Sequence, residues 1–188
     1  IGLSQNTETD IVTYTLAEQT TPATINAINH TIDIEVAYGT DVTSLTPTFT
    51  LSTGASASII AVTQVSGTTA NDFTNPITYT VLAEDGVTKQ DWVVTTTLAP
   101  SNETDFILFE GLTKPVGESF IDVVNHSITV EVALTVTGMS NPMTPIFTLS
   151  PGASAEVNSL TQISGVSSHV FSNPVVYTII AEDGTQQD

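Results

Sequence analysis

The chain contains no cysteine, so no disulfide staples it and its fold has to rest on buried apolar area. Basic residues are almost as scarce. Lys89 and Lys114 are the only two, arginine is absent, and twenty acids bring the formal charge to −18. Nucleic-acid binding takes a basic patch to neutralise phosphates, and two lysines cannot form one. An anionic lipid surface is disfavoured for the same reason. No apolar run reaches about 18 residues, so no stretch reads as a membrane-crossing helix. No segment has the basic head and apolar middle of a signal peptide, and no Met begins the chain. What the chain has in plenty is threonine. It makes up 34 of 188 residues and, with Val and Ile, pushes the sequence towards strand.

One stretch organises the rest: Asn75 to Gly86, leading on to Trp92-Val93-Val94. Ile77, Tyr79, Val81 and Ala83 alternate with Thr78, Thr80 and Leu82, the period of two of a strand with one face on a core. Asp85-Gly86 is a turn dipeptide, since glycine takes the positive φ that a tight reversal needs. The same text returns 98 positions later, as Asn173 to Gly184. Asn125 to Val132 likewise matches Asn29 to Val36, Thr144 to Ser150 matches Thr46 to Ser52, and Thr161 to Gly165 matches Thr63 to Gly67. Turn residues and inward-facing apolar residues recur, so a fold specification was copied.

The duplication sets the predicted domains: 10–98 and 105–188, joined by 99–104. Leu3, Glu8 and Asp10 align with Leu98, Glu103 and Asp105, so residues 1–9 read as the exit from an earlier domain. The second copy stops after Asp188, before any counterpart of Trp92-Val93-Val94, and is expected to be one strand short. The chain therefore reads as a window on a longer repetitive protein.

Each domain shows about seven short strands punctuated by Gly, Pro, Asn and Asp, with no helical period, and this predicts an all-β antiparallel sandwich. Ile11 to Leu16 is expected to be a strand with Val12, Tyr14 and Leu16 on one side. Pro22 marks an edge or a switch between sheets. His30 to Val36 reads as a central strand with Ile32, Ile34 and Val36 inward. Phe49 anchors a short strand, Ala55 to Val65 gives one or two more, and Ser66 to Asp72 is a loop delivering Phe73 to the core. Trp92 and Val94 are expected opposite the core-facing row of the first hairpin strand. If Trp92 is buried, truncating it to Ala costs about 3–5 kcal/mol.

From Asn29-His30-Thr31-Ile32, through Thr46-Pro47-Thr48-Phe49-Thr50-Leu51-Ser52, to Tyr79-Thr80-Val81-Leu82-Ala83-Glu84-Asp85-Gly86, the chain resembles the immunoglobulin-like repeats of very large Bacteroidota cell-surface proteins. The resemblance covers nearly the whole chain twice, and Trp92 follows Ala-Glu-Asp-Gly as in that family. It implies two tandem Ig-like domains of a secreted, extracellular adhesin or filament, with export by the type IX system. The second domain departs after Ala133, where Leu134-Thr135-Val136-Thr137-Gly138 replaces Tyr38-Gly39-Thr40-Asp41 and a different loop is expected.

No reactive constellation emerges. With no cysteine and no serine in a strained elbow beside a histidine, nucleophilic catalysis is set aside, and no catalytic or cofactor-binding residue is assigned. His30 and His126 are equivalent, each beside Asn at a strand start; one histidine per domain is too few for zinc, which favours a hydrogen bond across the turn. His169 is read as a loop residue without counterpart. Glu84-Asp85 and Glu182-Asp183 read as solvated turns, because adjacent strand residues face opposite ways. The metal question stays open: Glu8, Asp10, Glu103 and Asp105 recur at the domain junctions, where calcium could stiffen a rod, although no EF-hand spacing is present. Asn29, Asn102 and Asn125 fit the N-glycosylation pattern, a use that a bacterial origin disfavours.

The leading functional expectation is a structural stalk or spacer, with neighbouring repeats of the same protein as partners. The alternatives are a glycan-binding module and a filament subunit completed by a neighbour's strand.

Overall fold

The computed structural model describes residues 5–112, 119–131 and 141–188. Leu3 of the expected exit segment and the expected loop Leu134–Gly138 lie outside the described residues. The chain divides into two compact units, Ile1–Ala99 and Pro100–Asp188.

Unit 1 is all-β, as the alternation predicts. Its strands are β1 Ile11–Thr15, β2 Thr24–Asn26, β3 Thr31–Val36, β4 Thr48–Leu51, β5 Ser56–Ile59, β6 Val62–Gln64, β7 Ile77–Leu82 and β8 Lys89–Leu98. β1 and β4 form one sheet; the other runs β2-β3-β8-β7-β5-β6. Pro22 lies where the chain leaves the first sheet for the second, and the proline's missing N–H suits that crossing. The core closes between the sheets. Ile32, Ile34 and Val36 of β3, Tyr79 and Val81 of β7, and Trp92 and Val94 of β8 are all buried, against Ile11, Tyr14, Leu16 and Phe49. The Tyr14 and Tyr79 rings meet edge to face at 5.8 Å and their hydroxyls share a 3.1 Å hydrogen bond. Phe73 is delivered to this core as expected.

Two details depart from the alternation. β3 and β8 pair in parallel, from Thr31 opposite Val93 to Val36 opposite Leu98. A parallel pair needs a long crossover, and here every strand from β4 to β7 lies in it. In β1 the register slips between Ile11 and Thr13, so Val12 is exposed while Ile11 and Tyr14 are both buried. A bulge puts two residues opposite one and breaks the two-residue period that assigned Val12 to the core.

Unit 2 contains β9 Phe106–Glu110, β10 Phe120–Asp122, β11 Ser127–Thr129, β12 Ile146–Leu149, β13 Ser154–Val157, β14 Leu160–Gln162, β15 Thr178–Ile180 and β16 Gln186–Gln187. β9 pairs with β12 and repeats the β1 bulge, leaving Ile107 exposed. The remaining strands form two separate sheets, β10-β11 and β14-β13-β15-β16. Phe109, Phe147, Tyr177 and Ile179 centre the second core.

Candidate functional site

The hairpin β2–β3 turns through Ala27 to His30, with the Asn26 side chain accepting from the amides of Ile28 and Asn29. His30 closes the turn at φ 54°, and its main-chain oxygen accepts from the Val93 amide. Its ring stands edge-on to the Trp92 indole at 5.2 Å. The indole N–H donates to the Thr9 carbonyl at 2.9 Å, so the one tryptophan has both its apolar faces and its polar handle satisfied. His30 therefore serves through its carbonyl, which bonds β8, and through an aromatic contact with Trp92, where the sequence suggested a hydrogen bond across the turn.

The recurring acids are also accounted for structurally. Glu84 Oε2 accepts from the Asn6 amide at 3.0 Å, and the Asn6 carbonyl accepts from Asp85 N. In unit 2 Glu182 Oε2 accepts from the Ser101 amide at 3.1 Å, and the Ser101 carbonyl from Asp183 N. The amides of Asp10 and Asp105 donate to the hydroxyls of Ser52 and Ser150. Glu84 and Glu182 thus pin the incoming chain to the β7–β8 and β15–β16 turns, where the sequence suggested solvated turns. Residues 5–9 and 100–104, expected to lie outside the domains, belong to units 1 and 2 through these bonds. Asp85 completes its turn by accepting from the Thr88 hydroxyl and the amides of Val87 and Thr88, which holds its carboxyl below the usual range. Glu8 and Glu103 are exposed, and among the described residues no three His, Asp or Glu side chains group closely enough to hold a metal ion.

His169 has a counterpart after all, in Asn71. Each lies on an isolated bridge (to Met143 and Leu45, respectively) and bonds the glutamine of the preceding strand, Gln162 or Gln64. Asn71 also donates to the Tyr79 hydroxyl, whereas His169 places its ring edge on Tyr177 at 5.6 Å. The Tyr177 hydroxyl, in turn, has no partner among the described residues, and burial pushes it up to about 12. Sequence comparison missed this pair because the two side chains share no chemistry beyond one hydrogen bond.

Unit 2 carries a groove of about 580 Å³ lined by Phe106, Ile121, His126, Ile128, Tyr177 and Ile179, with Thr104 also on its wall. His126 repeats the left-handed turn of His30, at φ 49°, yet its ring is exposed. Ile128 is half-buried where its counterpart Ile32 is sealed. This groove lies beside Ile128, Tyr177 and Ile179, whose counterparts Ile32, Tyr79 and Val81 pack with Trp92 and Val94 in unit 1.

By class, then, the chain is an all-β protein of two sandwich-like units. The family model described as "SGBP, N-terminal" matches residues 11–96 and again 109–188, and the chain belongs to that family. Two solved structures are similar. One, described as a candidate glycoside hydrolase from Bacteroides thetaiotaomicron, shares 30% identity over 68% of this chain, at a TM-score of 0.44. The other, a candidate secreted protein from Bacteroides fragilis, shares 18% identity over 49% of this chain and 96% of its own, at a TM-score of 0.37. The chain spans about a third (36%) of the first of these. No curated protein matches it.

Proposed function

We propose that this chain is the spacer part of a Bacteroidota cell-surface glycan-binding protein, holding a binding part away from the surface without catalysis of its own. Membership of a glycan-binding family supports the setting, and so does the likeness to Bacteroidota surface repeats read from the sequence. The placement of the aromatics supports the spacer role. Sugar sites commonly use an exposed aromatic face, but of the twelve aromatic residues only Tyr38 in unit 1 and Phe120 in unit 2 are exposed. Trp92, Tyr14, Tyr79 and Phe49 are spent on the core of unit 1. The acidic surface, at a formal −18, keeps such a chain soluble and self-repelling. The test is a glycan array probed with this 188-residue chain. The spacer reading expects no saturable signal, and specific retention on one glycan class would make the chain the binding module itself.

A further inference from the structure

The two units pair the same strands in their small sheets but differ in what those sheets show to water. In unit 1 the outer face of β1 and β4 is all threonine: Thr13, Thr15, Thr48 and Thr50, with the Thr13 and Thr50 hydroxyls 2.6 Å apart. In unit 2 the counterparts of Thr13 and Thr48 are Leu108 and Ile146, 40% and 45% exposed. Leu108 sits opposite Thr148 and Ile146 opposite Glu110, so the two aliphatic side chains are diagonal neighbours on one face. A Cβ on Gly165 would stand 4.0 Å from Ile146 Cγ1, so the loop 163–168 borders this pair. Its Val166 is 68% exposed where unit 1 has Thr68. Contiguous exposed aliphatics of this kind mark a contact surface, and unit 1 shows that the fold itself is content with threonine there.

Charge decides what can cover it. The chain carries twenty acids, yet β9, β12 and the loop 163–168 together hold one charged residue, Glu110. Between Val132 and Ala181 the only acid is Glu156, which lies on the other sheet. Its neighbours Ala155 and Val157 are buried in the core, so Glu156 points outward, away from the β9–β12 face. The acids of unit 2 are thus kept off the one sheet face that carries Leu108 and Ile146. A cationic partner would call for acids around the patch, and a sugar for an aromatic within it. A partner that is itself strongly acidic calls for neither, and can approach only where carboxylates are scarce.

We propose that the outer face of the β9–β12 sheet is a self-association surface, on which a second copy of this chain packs its own unit 2 about a two-fold axis. Two-fold pairing sets each patch against its like, Leu108 and Ile146 of one copy over those of the other, sheet against sheet about 10 Å apart. Only Glu110 then brings like charges together from these elements. A handful of side chains is a small contact beside the roughly 800 Å² per partner of a standard interface, so the pairing is weak and acts where copies are crowded. It goes beyond the spacer reading, and a glycan array cannot decide it.

The test is sedimentation of the 188-residue chain at near-millimolar concentration. Dimers should form, and more of them in half-molar sodium chloride than in dilute buffer, because salt screens the repulsion between copies and leaves apolar contact intact. Leu108→Thr combined with Ile146→Thr gives unit 2 the residues that unit 1 carries in a folded sheet, and should weaken association roughly tenfold or more. Since the chain has no cysteine, single cysteines report which faces meet. Thr148→Cys, opposite Leu108, should form a disulfide between copies in air faster than Thr161→Cys, which lies opposite Glu156 on the other sheet. A monomer in both salts overturns the proposal, and so does association that the double substitution leaves unchanged or that salt abolishes. Equal disulfide rates at the two positions would mean random encounter and overturn it as well. If the chain stays monomeric and maltoheptaose shifts the Leu108 and Ile146 methyl resonances, the face belongs to a sugar instead.

Discussion

Gly54 lies directly against Glu84: a Cβ placed on the glycine would come within 2.7 Å of the Glu84 Cβ, and its φ is +77°. Gly152 stands in the same relation to Glu182, at 2.9 Å. The glycine lets the glutamate reach the incoming backbone, so the pair works as one fastening. Gly54→Ala should destabilise unit 1 by at least about 2 kcal/mol, combining a left-handed alanine with a clash. Glu84→Ala should not rescue it, because the offending atom is Cβ, whereas Glu84→Gly should restore part of the loss. Urea unfolding followed by the fluorescence of Trp92, the only tryptophan, reports unit 1 alone.

Trp92 carries the largest fully buried side chain. Trp92→Ala should cost unit 1 about 3–5 kcal/mol. Trp92→Phe keeps much of the apolar area but leaves the Thr9 carbonyl without its donor, and should cost about 1–3 kcal/mol. Circular dichroism during urea unfolding separates the two; equal losses would mean that the indole N–H bond contributes nothing.

The β5–β6 reversal puts Ile60 and Ala61 at φ 45° and 64°, a conformation that a β-branched residue adopts at a cost. The corresponding turn in unit 2 uses Asn158 and Ser159. Ile60→Asn should stabilise unit 1 by roughly 0.5–1 kcal/mol, and Asn158→Ile should weaken unit 2 by a similar amount. The Ile60 side chain is exposed, so no packing is lost, and a fall in the urea midpoint for Ile60→Asn would show that strain is absent.

pH should act at both extremes. Burial, then the facing Tyr79, pushes the Tyr14 hydroxyl far above an ordinary tyrosine, and burial also raises Tyr79. The folded state holds these protons, so its stability is intact below the unfolded value near 10 and falls as pH rises past it. Phenolate absorbance from these two residues should appear only together with loss of the sheet signal. On the acid side the Thr88 hydroxyl, then the Val87 and Thr88 amides, lower Asp85. Its contribution is present above about pH 4 and is lost as pH falls through the lower folded value. The stability gap between the native chain and Asp85→Asn should therefore close below pH 4.

Much of this fold is written in single-residue alternation. Ile32, Ile34 and Val36, or Tyr79 and Val81, can be placed on the core face from their spacing alone, because a strand has only two faces. Val12 could not be placed that way, since a bulge is a property of the pair β1–β4 and leaves no mark on one strand. The parallel partnership of β3 and β8 was hidden for the same reason: alternation says which face is inward and nothing about which neighbour runs alongside. The groove was not legible: Thr104, His126 and Ile128 are far apart in the sequence, and only the fold brings them together along one wall.

The spacer account is tested most directly by pulling single molecules of the chain from its two ends. It predicts two separate force peaks, each releasing roughly 300 Å of contour at about 3.5 Å per residue. The stronger peak should belong to unit 1, whose last strand β8 is bonded along both edges, and the weaker to unit 2, which ends on the two-residue β16. A single smooth extension without peaks would contradict it.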